Sequence, residues 1–127
     1  MARFLLDTDV LISFSKRRGS AFQWVNSALG SIDEIGVCEV VVTELLAGTR
    51  PAERLTLIAF LRSLTYWDAT HEAAVRAGIY RYSFARQGIT VATPDALIAA
   101  ISVDVGATLV TRNVRHYPMS DVTLLVP

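Results

Sequence analysis

Residues 3–12 read Arg-Phe-Leu-Leu-Asp-Thr-Asp-Val-Leu-Ile, or RFLLDTDVLI. Phe4, Leu5 and Leu6 are apolar, Asp7 and Asp9 bracket Thr8, and Val10, Leu11 and Ile12 are apolar again. A short unbroken apolar run is the pattern of a strand buried on both faces. An aspartate directly after it can cap a helix. The stretch therefore predicts a strand over residues 3–6 that passes straight into a helix near 8–15. It also puts two carboxylates at the strand's carboxyl end, where burial is costly unless something compensates the charge.

The same alternation continues outward. Ser20 can cap a second helix carrying Phe22, Val25 and Leu29 at helical spacing, ended by Gly30. Residues 35–38 (IGVC) read as a second buried strand and 40–47 as a helix, with Gly48 placed for a left-handed C-cap. Pro51 can open the next helix. Residues 64–67 give a third strand. Thr70 caps a long helix, with Glu72 in its first turn, that runs to about Gln87 and stops at Gly88. Thr93-Pro94-Asp95 offers a capping hydroxyl, a proline at the first helical position and an acid for a helix to about Val105. Residues 108–111 and 122–126 complete five strands. Apolar strands alternating with helices predict a three-layer α/β/α sandwich around a mainly parallel sheet of about five strands, with residues 1–127 forming one domain. Such sheets bind ligands beyond the carboxyl ends of their strands.

Composition narrows the function. The chain has 127 residues, 52% hydrophobic and 19% charged, so it can build a substantial core. Twelve basic and twelve acidic residues balance. That argues against holding nucleic acid by bulk charge, though not against a local basic rim. The basic residues are all arginine except Lys16. One cysteine, Cys38, excludes an internal disulfide and a cysteine-based zinc site; inside IGVCEVVV it reads as a buried, inert thiol. Asp7 and Asp9 interrupt what would be the apolar part of a signal peptide, and no apolar run reaches the roughly 18 residues that span a bilayer. The expectation is a cytoplasmic protein without a membrane segment.

Four oxygen-bearing side chains come from four separated parts of the chain: Asp7 directly after the first strand, Glu44 in the helix after the second, Asp95 at the start of the helix before the fourth and Asn113 just past the fourth strand's end. Glu44 sits in VVVTELLAG among apolar neighbours, company in which a carboxylate usually has a partner. Clustered carboxylates raise one another's pKa, and a bound hard cation such as Mg²⁺ or Mn²⁺ removes the conflict. One or two such ions could activate water. Other chemistries lack their signatures: there is no G-x-S-x-G, P-loop or G-x-G-x-x-G. His71 and His116 read as structural or surface residues without a matching nucleophile, and Asp104 and Asp121 as solvated. Arg76, Arg81 and Arg86, five apart on one helix, form no single stripe.

At these residues the chain resembles the PIN-domain nucleases, specifically the VapC-like toxins of toxin–antitoxin pairs. LLDTDVLI is similar to the family's opening strand and first acid, VVTELLAG to the second-acid segment, TPDALIAA to the third, and LVTRNVRHYP to the segment after the fourth strand. The resemblance spans nearly the whole chain. It implies an Mg²⁺- or Mn²⁺-dependent endoribonuclease that cleaves RNA phosphodiesters with metal-activated water. Asp7, Glu44 and Asp95 would be the metal ligands, with Asn113 at the fourth catalytic position. Thr8 and Thr111 would be hydroxyls supporting the ligands. Asp9, where many relatives carry Asn or Ser, joins the site or binds water beside it. Asn113 departs from members with Asp there, and a neutral amide would hold a second metal weakly.

Two other readings compete. DTDVL superficially resembles the opening of haloacid-dehalogenase-type phosphatases, but those need a downstream lysine and none follows Lys16. A non-catalytic PIN-like scaffold binding RNA or protein is the other, favoured by Asn113 and the neutral net charge. As partners, the resemblance implies a small cognate antitoxin. The mean hydropathy of +0.40, with apolar residues on several sides of 20–29 and 51–63, adds the expectation of a homodimer and an apolar groove for an antitoxin helix.

Overall fold

A computed structural model describes residues 1–127. Five strands, β1 (Arg3–Leu6), β2 (Glu34–Cys38), β3 (Thr65–Trp67), β4 (Thr108–Val110) and β5 (Leu124–Leu125), alternate with helices. The helices are α1 (Thr8–Ser15), α2 (Gly19–Leu29), α3 (Glu39–Ala47), α4 (Arg54–Arg62), α5 (His71–Arg86) and α6 (Thr93–Asp104). Every strand pair is parallel, in the order β3-β2-β1-β4-β5. The chain moves outward from β1 through β2 to β3, then crosses back to β4 and β5. Right-handed crossovers therefore set α1–α4 on one face and α5 with α6 on the other, the expected α/β/α sandwich.

The core follows from the apolar strands. Leu5, Leu6, Val37, Cys38, Leu109 and Val110 are fully buried. They meet Val10, Leu11, Val41 and Leu45 from α1 and α3, and Ile98 and Ile101 from α6. Helix α6 is buried on nearly every side, from Ala96 through Ser102, so its first turn, bearing Asp95, is held firmly. Cys38 is the inert thiol expected, pushed up to about 11 chiefly by burial. No helix is long and apolar enough to cross a membrane.

Several local expectations are corrected. Ser20 lies inside α2, whose N-cap is Arg18 with no side-chain bond; the Ser20 hydroxyl instead donates to the Pro127 carbonyl. Gly48 ends α3 with φ −96°, not left-handed. Pro51 opens a single 3₁₀ turn (Pro51–Glu53) before α4. Thr93 is the first residue of α6, not its cap; Ala92 is the N-cap and supplies no side-chain bond. Thr70 does cap α5, accepting the Ala73 N–H at 3.0 Å, and Gly88 follows with φ 76°. Asp104 and Asp121 are not merely solvated: Asp104 accepts the Thr70 hydroxyl, and Asp121 pairs with Arg76 and accepts the Tyr80 hydroxyl. Arg76, Arg81 and Arg86 indeed do separate jobs, on Asp121, on the Val91 carbonyl and over the Tyr82 ring.

Candidate active site

Strand register builds the site. Leu6 pairs with Val110, and the Asp7 N–H continues the ladder to the Val110 carbonyl at 3.0 Å. Asp7 and Thr111 thus leave neighbouring strands side by side. Asp7 is the N-cap of α1: its Oδ1 accepts the Thr8 N–H at 2.8 Å. Its Oδ2 accepts two hydroxyls, from Thr111 at 2.8 Å and from Tyr117 at 2.8 Å. A carboxylate offers about four acceptor sites. Three are taken, so Asp7 has room for one further bond. The residue is only 5% exposed.

Asp9 is used differently. Its Oδ1 accepts the Val10 N–H at 2.8 Å and its Oδ2 accepts the Arg112 N–H at 2.9 Å. Both oxygens face backbone donors, so Asp9 ties the first turn of α1 to the connection after β4. Burial, then the neighbouring Asp7 charge, push its carboxyl above the ordinary range, against the pull of those N–H donors.

Glu44 projects from the exposed side of α3, next to the stripe formed by Val41 and Leu45. Its apolar sequence neighbours therefore surround it in the chain but not in space. The partner expected of it is Thr8, whose hydroxyl donates to Oε1 at 2.9 Å. Asp95, in the first turn of α6, stands 3.5 Å from His116 Nδ1. Burial raises the Asp95 carboxyl most; His116 pulls it down, while Asp7 and Glu44 push it up. Asp7, Glu44 and Asp95 are thus drawn into one electrostatic neighbourhood from three separate elements. Asn113 is not drawn in to the same degree. Its backbone N–H donates to Thr111 Oγ1 at 3.0 Å, but its exposed amide bonds to none of the carboxylates.

The donor chemistry fits a hard divalent cation: the set is all carboxylate oxygen, and no lysine or arginine pairs with Asp7, Glu44 or Asp95. No three acidic, histidine or cysteine side chains are already drawn together at metal-holding distance. Like charges keep apart when nothing positive lies between them.

Two residues of this site escaped the sequence reading. His116 reads as surface because nothing in the chain near it is nucleophilic; its partner Asp95 lies 21 positions away in sequence and comes close only through the fold. Tyr117 lies in the LVTRNVRHYP segment, where nothing in the local sequence marks its hydroxyl for a polar role. It is 3% exposed, and burial together with Asp7 raises its phenol far above the ordinary value. The available signal is a tyrosine soon after a strand whose neighbour ends in an aspartate.

Comparison with known proteins agrees with this geometry. The PIN domain family matches residues 4–121. "Ribonuclease VapC19" of Mycobacterium tuberculosis is 36% identical over 118 residues, covering 91% of this chain and 92% of that protein. "Ribonuclease VapC10" of the same organism is 34% identical, covering 91% and 86%. Among solved structures, VapBC2 from Rickettsia felis, bound to a DNA fragment from its promoter, superposes with a TM-score of 0.83 at 23% identity over 97% of both chains. The chain belongs to the PIN-domain family, among the VapC ribonucleases.

Proposed function

We propose that the chain is the toxin of a toxin–antitoxin pair, an endoribonuclease that requires a divalent metal and acts in the cytoplasm as a single PIN domain. The observation that carries this reading is that the Asp7, Glu44 and Asp95 charges act on one another with no lysine or arginine paired to any of them, in a chain so similar to named ribonucleases. Asp7, Glu44 and Asp95 would hold the ion, Mg²⁺ or Mn²⁺, with Asn113 at the edge of the set. A bound ion supplies an activated water and neutralises charge at the phosphate. The chain's own residues do the rest. Thr111 and Tyr117 fix the Asp7 carboxylate, Thr8 orients Glu44, Asp9 locks the connection after β4 to α1, and His116 faces Asp95.

The partner is a small antitoxin. An apolar groove of about 490 Å³ between α3, α4 and β3, lined by Val42, Leu46, Ile58, Leu61, Leu64 and Tyr66, supports the docking of an apolar helix face. A solved VapBC-5 from Mycobacterium tuberculosis, described as a member of the VapBC family of toxin–antitoxin systems, is a precedent for such a pairing. A homodimer is supported by α5, where Val75, Ile79 and Tyr82 are exposed at helical spacing.

The test is direct. RNA incubated with the purified protein and Mg²⁺ should acquire 5′-phosphate and 3′-hydroxyl ends, cleavage should stop in EDTA, and Asp7→Asn should lose most activity. Cyclic phosphate ends or full activity in EDTA would refute the metal chemistry. RNA binding with no cleavage under any divalent ion would instead favour the non-catalytic scaffold, to which the neutral Asn113 lends some support.

A further inference from the structure

A ribonuclease built on carboxylates must draw a polyanion toward negative charge. The bound ion offsets part of the repulsion; cationic side chains must offset the rest. Several of the chain's arginines are engaged elsewhere, Arg81 on the Val91 carbonyl and Arg86 over the Tyr82 ring among them. Arg3, Arg50 and Arg76 are committed to Glu34, Glu53 and Asp121. Arg112 and Arg115 enter no ion pair with an acid. Both line a hollow of about 300 Å³ formed by Arg112, Asn113, Val114, Arg115 and His116. No acid lines it. The wider hollow on the other side of Glu44, of about 600 Å³, mixes Lys16 and Arg50 with Glu44 and Glu53, so its field is largely cancelled.

The basic hollow is joined to the carboxylates by its own walls. The Arg112 N–H is bonded to Asp9, and the His116 ring faces Asp95. Thr111 and Tyr117, which flank the hollow in sequence, both hold Asp7. The segment 111–117 therefore turns its ends to the acids and carries beside them two guanidiniums without an acidic partner, Arg112, one of whose guanidinium N–H groups donates to the Ser20 hydroxyl at 3.3 Å, and Arg115. Asn113 points its function the same way. It contributes to the hollow and bonds to no carboxylate, and an amide donates to a phosphate oxygen where an aspartate would repel it.

Resting on the ribonuclease reading above, we infer that the Arg112–Asn113–Arg115–His116 hollow is a subsite for an RNA phosphate flanking the scissile one. Asn113 serves that phosphate rather than the metal. Bidentate guanidinium contacts would fix the strand's register across the carboxylates.

The experiment measures binding of a short fluorescein-labelled single-stranded RNA by anisotropy at several salt concentrations, in EDTA so that nothing is cut. Each phosphate contact contributes about 0.7 to the slope of log affinity against log salt for single strands. Arg115→Gln should lower the slope by about that amount, and Arg112→Gln likewise. Arg3→Gln, at the opposite end of β1, should leave it unchanged. Asn113→Asp should weaken RNA binding without tightening Mn²⁺ binding, measured calorimetrically on the RNA-free protein. An unchanged slope in Arg115→Gln, or an Asn113→Asp that tightens Mn²⁺ and spares RNA, overturns the assignment. A slope unchanged in Arg115→Gln with weakened antitoxin binding would make the hollow a protein-docking surface instead. Failure of the ribonuclease reading looks different: the slopes would fall as expected, yet Mg²⁺ would produce no cleavage in the wild type.

Discussion

Replacing Tyr117 by phenylalanine removes one hydroxyl and nothing else. That hydroxyl donates to Asp7 Oδ2 over 2.8 Å, between residues that are 3% and 5% exposed. A hydrogen bond to a charged acceptor contributes about 1.5–3 kcal/mol. Two effects place this one in the lower half. Thr111 still donates to the same oxygen at 2.8 Å, and the phenol oxygen, itself costly to bury, leaves with the substitution. The expected destabilisation is about 1.5–2 kcal/mol. An unfolding entropy of about 2.1 cal/mol/K per residue turns this into a Tm lower by about 6–7 °C for a chain of 127 residues. Thermal melts followed by circular dichroism on the metal-free protein measure it. Thr111→Val should cost a similar amount. The double variant leaves Oδ2 buried with no hydroxyl donor, so the loss should exceed the sum by about 1 kcal/mol. A Tyr117→Phe change within about 0.5 kcal/mol, with an additive cycle, would refute the claim that two hydroxyls hold Asp7.

Asp9 and Asp95 bind their protons more tightly in the folded chain than at the ordinary carboxylate value of 3.8. Their destabilising charge is therefore fully present above the raised folded values and fades as the pH falls through them. The metal-free wild type should gain stability relative to an Asp9→Asn/Asp95→Asn variant on mild acidification, and a melt series in which the two run parallel would contradict this. Gly36→Ala would bring a methyl carbon within 2.8 Å of the Trp67 ring, so it should destabilise by about 1–3 kcal/mol in chemical denaturation. The Cys38 thiol, fully buried and pushed up to about 11, should resist a soluble disulfide reagent until the protein unfolds.

The strands and most helices are legible because they rest on apolar runs longer than any local ambiguity. Leu5 and Leu6, Val37 and Cys38, and Leu109 and Val110 are all fully buried. The caps are less legible. Ser20 and Thr93 have the right side chains for N-caps, but the chain enters those helices one or two residues earlier, through Arg18 and Ala92. Among the acids, Asp7 could be placed from its own strand. The difference between Asp9 and Asp7 could not, because it depends on the Arg112 N–H, far away in the chain. His116 and Tyr117 were hidden for the same reason. Their roles are contacts across strands, and no local pattern records them.

The sheet order explains why these contacts form where they do. β1 is central, and the strands added after it go first to one side, as β2 and β3, and later to the other, as β4 and β5. The order reverses at β1, the point where open α/β sheets accommodate ligands. Asp7 leaves the end of that strand. The helix after β2 brings Glu44 to Thr8 from one side, and the connection after β4 brings Thr111 and Tyr117 to Asp7 from the other. That connection must cross between parallel neighbours, which requires a dozen or so residues. The chain uses this length for the segment that fixes Asp7, holds Asp9, faces Asp95 and carries Arg112 and Arg115. Register couples these roles. Leu6 opposite Val110 sets Asp7 beside Thr111, and a slip of one residue would turn Thr111 to the other face of the sheet. The pairing of β1 with β4 is thus the element on which both the acidic cluster and its basic flank depend.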